Sequence, residues 1–283
     1  MLSMRATGYK NLVTSGRSWP YWLIGIFGLF SVAVYVVKPG SEFVLVVKPG
    51  SRFTLNVFTD LIAVGAAAIA FAAVANVSRR RRDIQAAAGW FWLAVGLGLF
   101  LLGEATWAFQ EIVLRIHNPF PSVADIFWLA GYLPLLLGLV IAWRQLDIGL
   151  KKKEMAALGF GAVAALAAIA VWLFVPIARS SDVPITEKAL DIAYPLADIF
   201  LIVPALALAV AFGRSLLGRP WRLICLGLTF IGLADLSFAY LTWHRVYWMN
   251  IDAPANFTDL LWVIGYLTIG VAAFYYDQIL AGA

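Results

Sequence analysis

The chain has 283 residues, of which 63% are hydrophobic and 13% charged, and its mean hydropathy is +0.86. That is too little charge to cover a soluble globule of this size, so the composition specifies a polytopic membrane protein. The formal net charge of +5 comes from clustered Lys and Arg of the kind that orient helices in a bilayer, and nothing in the pattern suggests a nucleic-acid partner. A single cysteine, Cys225, excludes an internal disulfide and any cysteine-based cluster, and its apolar context reads as a buried small hydrophobe.

Arg5, Lys10 and Arg17 flank the first apolar run, which ends in Tyr35-Val36-Val37-Lys38 without a small-x-small cleavage pattern. It is expected to remain as a transmembrane helix. Seven further runs of about 20 residues follow, the length that crosses about 30 Å of hydrocarbon at a rise of about 1.5 Å. The eight spans are read at 19–37, 56–77, 87–113, 122–143, 155–177, 189–213, 221–246 and 257–276. The expected organisation is a segment 1–18, an eight-helix membrane domain 19–276, and a tail 277–283. Arg79 to Arg82, Arg144 with Lys151 to Lys153, and Arg214 to Arg222 fall in alternate loops, which predicts that those loops and both termini are cytoplasmic in a multi-pass protein of the cell membrane. Lys38, Lys48 and Arg52 oppose this assignment more weakly. The loop that holds them repeats Val-Val-Lys-Pro-Gly-Ser, at 36–41 and 46–51, and is read either as a small hairpin or as a duplication that lengthened a linker.

Four aspartates open apolar runs in similar contexts: Phe58-Thr59-Asp60, Val123-Ala124-Asp125, Leu196-Ala197-Asp198 and Phe257-Thr258-Asp259. Two of these runs continue as aromatic-x-x-Gly-Tyr, Trp128 to Tyr132 and Trp262 to Tyr266. The third span carries Glu104 and the seventh Asp235, whereas the first and fifth carry no acid. Helix pairs therefore repeat within a larger unit: an all-α integral membrane protein of two parallel four-helix repeats, about 19–145 and 155–276.

Asp125 stands three residues after Ser122, and Asp259 three after Asn256, the spacing of a cap residue and an N3 acid. Asp198 fits a cap less well, because Asp191, Tyr194 and Pro195 suggest that its helix begins earlier. Glu104 and Asp235 lie well inside their spans, where a carboxyl is costly by about 2.5 to 3.5 kcal/mol on insertion scales. They are expected either to line a buried polar site or to make interhelical hydrogen bonds. Glu104, Trp107 and Glu111 share a helix face that should point into the bundle. His117 and His244 lack the close spacing of a metal motif, and read as interfacial residues beside Trp243, Tyr247 and Trp248. No late span holds a lysine for a retinal Schiff base, and there is no phosphate loop, Ser-His-Asp order or zinc-protease helix. The reading is non-enzymatic, with Asp60, Glu104, Asp125, Asp198, Asp235, Asp259, Trp107, Tyr132 and Tyr266 as candidate ligand- or ion-binding residues.

Leu102-Gly103-Glu104-Ala105-Thr106-Trp107 followed by Asn118-Pro119-Phe120-Pro121-Ser122-Val123-Ala124-Asp125 resembles the membrane-embedded N-terminal sensor region of bacterial and archaeal histidine kinases and GGDEF/EAL proteins. The resemblance rests mainly on the Pro-Phe-Pro-Ser-x-Ala-Asp run and implies a sensory or ligand-responsive module. Only Asp277 to Ala283 follow Tyr276, so the signal is expected to pass through a separate partner membrane protein. A proton- or cation-coupled transporter and an accessory subunit of a respiratory or photosynthetic complex are the alternatives.

Overall fold

The structure is a computed structural model that describes residues 19–37, 52–81, 87–116, 118–145, 149–213, 215–216, 218–247 and 253–281. The described residues hold eight long helical runs and no strand. These are α1 (Trp19–Val37), α2 (Arg52–Arg80), α3 (Ala87–Val113), α4 (Val123–Gln145), α5 (Lys152–Arg179), α6 (Ile185–Phe212), α7 (Gly218–Trp243) and α8 (Ala253–Ala281). Seven of them, α2 to α8, are long and apolar enough to cross a membrane, with spans of 22 to 28 residues. The apolar stretch of α1, Pro20–Tyr35, is shorter. A bilayer is the environment these helices require, because their backbone groups are satisfied internally while their side chains stay apolar outward. Leu29, Phe91, Ile126, Phe160 and Phe200, for example, are all more than half exposed.

Six helices close a ring in the order α2, α3, α4, α6, α7, α8 and back to α2. α1 lies outside it against α8 and α2, and α5 lies outside it against α6. Small residues set the tightest contacts, as expected where lipid removes the hydrophobic drive between helices and leaves van der Waals packing. Along α2, Ala66, Ala67, Ala70 and Ala73 are buried. Between α3 and α4, Gly96 faces Gly131, and between α7 and α8, Gly227 faces Gly265.

At the arginine-bearing end the core closes on Trp90 and Trp221, both fully buried with ring centroids 5.5 Å apart. Arg81 donates to the Asp277 carboxylate at 3.0 Å and to its carbonyl at 2.9 Å, which ties α2 to α8. The Tyr21 hydroxyl donates to Gln278 at 2.9 Å and ties α1 to the same turn. Asp277 thus joins the core rather than a tail.

α5 differs from its neighbours. Its first part, Lys152–Ile169, touches α6 but buries no residue, and only its end is buried, through Leu173 and Ile177 against Ala239, Tyr240 and Trp243. A π-helical turn at Ala170–Phe174 separates the two parts, and a second one, Phe109–Val113, ends α3. A π turn inserts one residue and re-aims the side chains beyond it. It turns Glu111 into the bundle at 6% exposure, where its carboxylate accepts the Asn118 N–H at 2.9 Å.

Two boundary expectations are corrected. α8 begins at Ala253 and α2 at Arg52, each earlier than the hydropathy suggested, because a helical backbone can continue past the end of the apolar run that hydropathy detects. Asp259 and Asp60 therefore lie in later turns, and the Asn256–Asp259 capping arrangement does not apply. The Val-Val-Lys-Pro-Gly-Ser duplication falls almost wholly at 38–51, outside the described residues.

Candidate functional site

The acid-bearing ends of the ring helices converge on one buried cluster of carboxylates and tyrosines. Tyr132 on α4 stands at its centre: its hydroxyl lies 2.8 Å from Asp198 Oδ1 on α6 and 2.9 Å from Asp235 Oδ2 on α7. A phenol carries one hydrogen. It donates to one carboxylate, and the second contact is a hydrogen bond only when the other acid carries a proton and donates to the phenol oxygen. Where both contacts are hydrogen bonds, the two acids and the phenol share one proton beyond the tyrosine's own. The other oxygen of Asp235 accepts the Trp262 indole N–H at 2.6 Å.

Glu104 on α3 is held in a parallel way. It accepts the Tyr266 hydroxyl of α8 at 2.7 Å, and the Trp128 indole is directed at the same carboxylate. Phe100 lies edge-on to both tyrosines, with centroids 5.3 Å from Tyr132 and 6.4 Å from Tyr266. The two readings of Glu104 and Asp235 thus coincide, since each makes interhelical hydrogen bonds within one buried polar region.

The remaining acids surround this pair. Asp125 is capped as the sequence implies: its Oδ2 accepts the Ser122 N–H at 2.6 Å while Ser122 Oγ accepts the Ala124 N–H at 3.1 Å. Its Oδ1 has a second role, accepting the Tyr194 hydroxyl of α6 at 2.7 Å. Asp198 lies in the fourth turn of α6, as the early start of that helix suggested, and packs over Gly232. Asp259 accepts the Tyr247 hydroxyl at 2.6 Å. Burial of the Tyr247 ring, with Asp259 beside it, holds that phenol well above the ordinary tyrosine range, so it remains a donor. Asp60 is 8% exposed and its Oδ2 has no hydrogen-bond partner; it shares a side-chain hydrogen bond with Glu111, and Asp259 and Glu104 also lie around it. Trp107 packs on Trp128, with ring centroids 5.8 Å apart.

The structure thus gathers Asp60, Glu104, Asp125, Asp198, Asp235, Asp259, Tyr132 and Tyr266, and leaves Trp107 as a flank. Sequence reasoning missed the donors Tyr194, Tyr247, Trp128 and Trp262. Tyr194 could have been found from its place four residues before Asp198 on one helix. Tyr247 lies beyond α7 and gave no periodic signal. His244 packs against Tyr240 and Trp243, at 4.4 and 4.3 Å, in an aromatic group at the helix end. His117 is outside the described residues. Among the described residues no three or more of His, Cys, Asp and Glu are arranged to hold a metal ion.

These features define a multi-pass α-helical membrane protein with a buried acid–tyrosine cluster. No family model, no curated protein and no solved structure matches the chain.

Proposed function

We propose that the protein is a non-enzymatic sensory module of eight spans, built as two parallel four-helix repeats, whose acid–tyrosine cluster takes up a proton or small cation and passes the change to a partner membrane protein by helix rearrangement. The observation that carries this reading is the reciprocal exchange at the cluster. Tyr132 of the first half binds Asp235 of the second, and Tyr266 of the second half binds Glu104 of the first. Any change in the cluster's proton or cation content therefore acts directly on the contacts that join the halves.

Support for the repeat comes from matched packing. Shifting α3 by 131 residues and α4 by 134 pairs Gly96 with Gly227, Gly131 with Gly265, Trp90 with Trp221, Trp128 with Trp262, and Tyr132 with Tyr266. Each glycine pair makes the same close backbone approach, and Trp90 and Trp221 meet each other. The ring order also repeats, with α2–α3–α4 followed by α6–α7–α8, and α1 and α5 both peripheral. Support for a partner comes from α5, whose first part leaves its apolar side chains uncovered within the chain. The basic loops keep their cytoplasmic assignment in this reading: single cysteines at Arg80 and Lys152 should react with an impermeant reagent only from the cytoplasmic side, and reaction from outside would overturn it.

A proton- or cation-coupled transporter is the second reading, favoured by the proton shared among Tyr132, Asp198 and Asp235. The two readings part in proteoliposomes under an imposed pH gradient. A sensory module leaves the gradient to decay at the same rate as liposomes holding the Glu104→Gln, Asp235→Asn double variant. Decay that is faster for the wild type and lost in the double variant would replace the sensory reading with the transporter.

A further inference from the structure

The acid-bearing ends of α6 and α7 hold a second set of buried oxygens that the tyrosine cluster does not use. Asp191 is 1% exposed, and neither of its carboxylate oxygens has a hydrogen-bond partner. Thr242 is fully buried, and its Oγ1 is likewise unpartnered. The packing of Asp198 over Gly232 fixes the antiparallel register of the two helices. Two turns further on, that register brings Asp191 level with Ala239, and the next turn brings Glu187 level with Thr242. Glu187 is 5% exposed and paired with Arg245, at 3.4 Å. The end of α5 closes the back of this region, with Leu173 and Ile177 against Ala239.

Charge balance says what is missing. Arg245 offsets Glu187, and Lys188 is directed elsewhere, donating to the carbonyls of Ala178 and Ser180. Around Asp191 stand Glu187, Arg245 and Asp125, which makes three carboxylates, Asp191 included, against one guanidinium; Asp125 has donors of its own in the Ser122 N–H and the Tyr194 hydroxyl, whereas Asp191 has none. A proton on Asp191 would cancel the charge but not satisfy the group, since the acid would still lack an acceptor for its O–H and a donor for its carbonyl. Buried carboxylates without partners are rare, and an ion or water is the usual explanation.

We infer that the acid-bearing ends of α6 and α7 form a binding site for a monovalent alkali cation, with Asp191 supplying the charge and Thr242 Oγ1 and Glu187 completing a set of hard oxygen ligands. The ligands Asp191 and Glu187 with Arg245 carry one net negative charge, Asp125 being held by Ser122 and Tyr194 in the other cluster, so a monovalent ion balances the site's own groups where a divalent ion would leave a positive charge among them. The site is separate from the proposed sensory cluster and stands without it.

Thermal unfolding of the protein in nanodiscs, in sodium, potassium or choline chloride at equal ionic strength, tests the inference. Sodium or potassium should raise Tm by several degrees over choline and saturate, and sodium NMR lines should broaden with protein present. Asp191→Asn should abolish both responses, and Thr242→Val, which keeps the side-chain shape, should raise the half-saturating concentration at least tenfold. Glu104→Gln, which alters the other cluster, separates the two sites: a response lost in Glu104→Gln and kept in Asp191→Asn would place the cation there and overturn this site. Should Asp191→Asn fail to fold, the Thr242→Val shift decides the matter. Equal Tm in all three salts, a response that survives Asp191→Asn, no shift in Thr242→Val, or stabilisation that follows pH alone would each overturn the site.

Discussion

Valine at Gly96 or Gly227 should destabilise the protein by about 3 kcal/mol or more, while valine at Gly159 or Gly161 should leave stability within about 0.5 kcal/mol of the wild type. A Cβ on Gly96 would stand 2.9 Å from the Gly131 carbonyl oxygen, and one on Gly227 would stand 2.8 Å from the Gly265 carbonyl oxygen. Both obstacles are backbone, so no rotamer change relieves them, and the helices must separate. Separation costs the van der Waals contacts that hold α3 to α4 and α7 to α8 in lipid. Gly159 and Gly161 lie on the uncovered part of α5, with nothing within 4 Å of an added Cβ. Unfolding of the four variants in matched detergent checks the contrast, and equal losses at all four positions would mean that α5 is packed as tightly as the ring.

Tyr132→Phe should be the most costly change within the site, by about 3 kcal/mol, and Asp235→Asn should be nearly neutral to folding. Removing the phenol hydroxyl leaves Asp198 and Asp235 buried and without their shared donor, and a stranded buried polar group costs about 1 to 3 kcal/mol, more when charged. The side-chain amide that Asp235→Asn introduces, by contrast, can donate to the Tyr132 oxygen while the phenol donates to Asp198, so every contact is kept without the extra proton. Tyr266→Phe lies between these, because the Tyr266 hydroxyl serves one carboxylate, Glu104, where that of Tyr132 serves two. Unfolding curves for the three variants check the order, and an Asp235→Asn as damaging as Tyr132→Phe would argue against the shared proton.

Much of this site was legible in the sequence, for reasons that are physical. A carboxyl deep in an apolar span must find a partner, so Glu104 and Asp235 could be singled out with no structure in hand. The aromatic-x-x-Gly-Tyr runs were legible as a recurring signature, and each sets a tyrosine, Tyr132 or Tyr266, against an acid of another helix. What could not be read was which acid each tyrosine meets, because that depends on how six helices close into a ring. Glu187 was hidden for another reason. Hydropathy placed the start of α6 at residue 189, whereas the helix begins at Ile185 and carries Glu187 inside, where Arg245 offsets its charge. Glu111 was expected on the inward face it shares with Glu104 and is buried, within a π turn that no periodic pattern announces.

If the proton content of the cluster sets the positions of the two halves, the distance between them must follow pH. Leu102 on α3 and Leu233 on α7 are matched positions in the proposed repeat, each about half exposed, and they suit spin labels in a Cys225→Ser background. Pulsed dipolar distances between these labels in nanodiscs, followed through a pH titration, measure the coupling directly. The distance distribution should shift with pH in the otherwise unaltered protein and be fixed in the Glu104→Gln, Asp235→Asn variant. A distribution that does not move with pH, or that moves equally in the variant, would contradict a proton-set coupling between the halves.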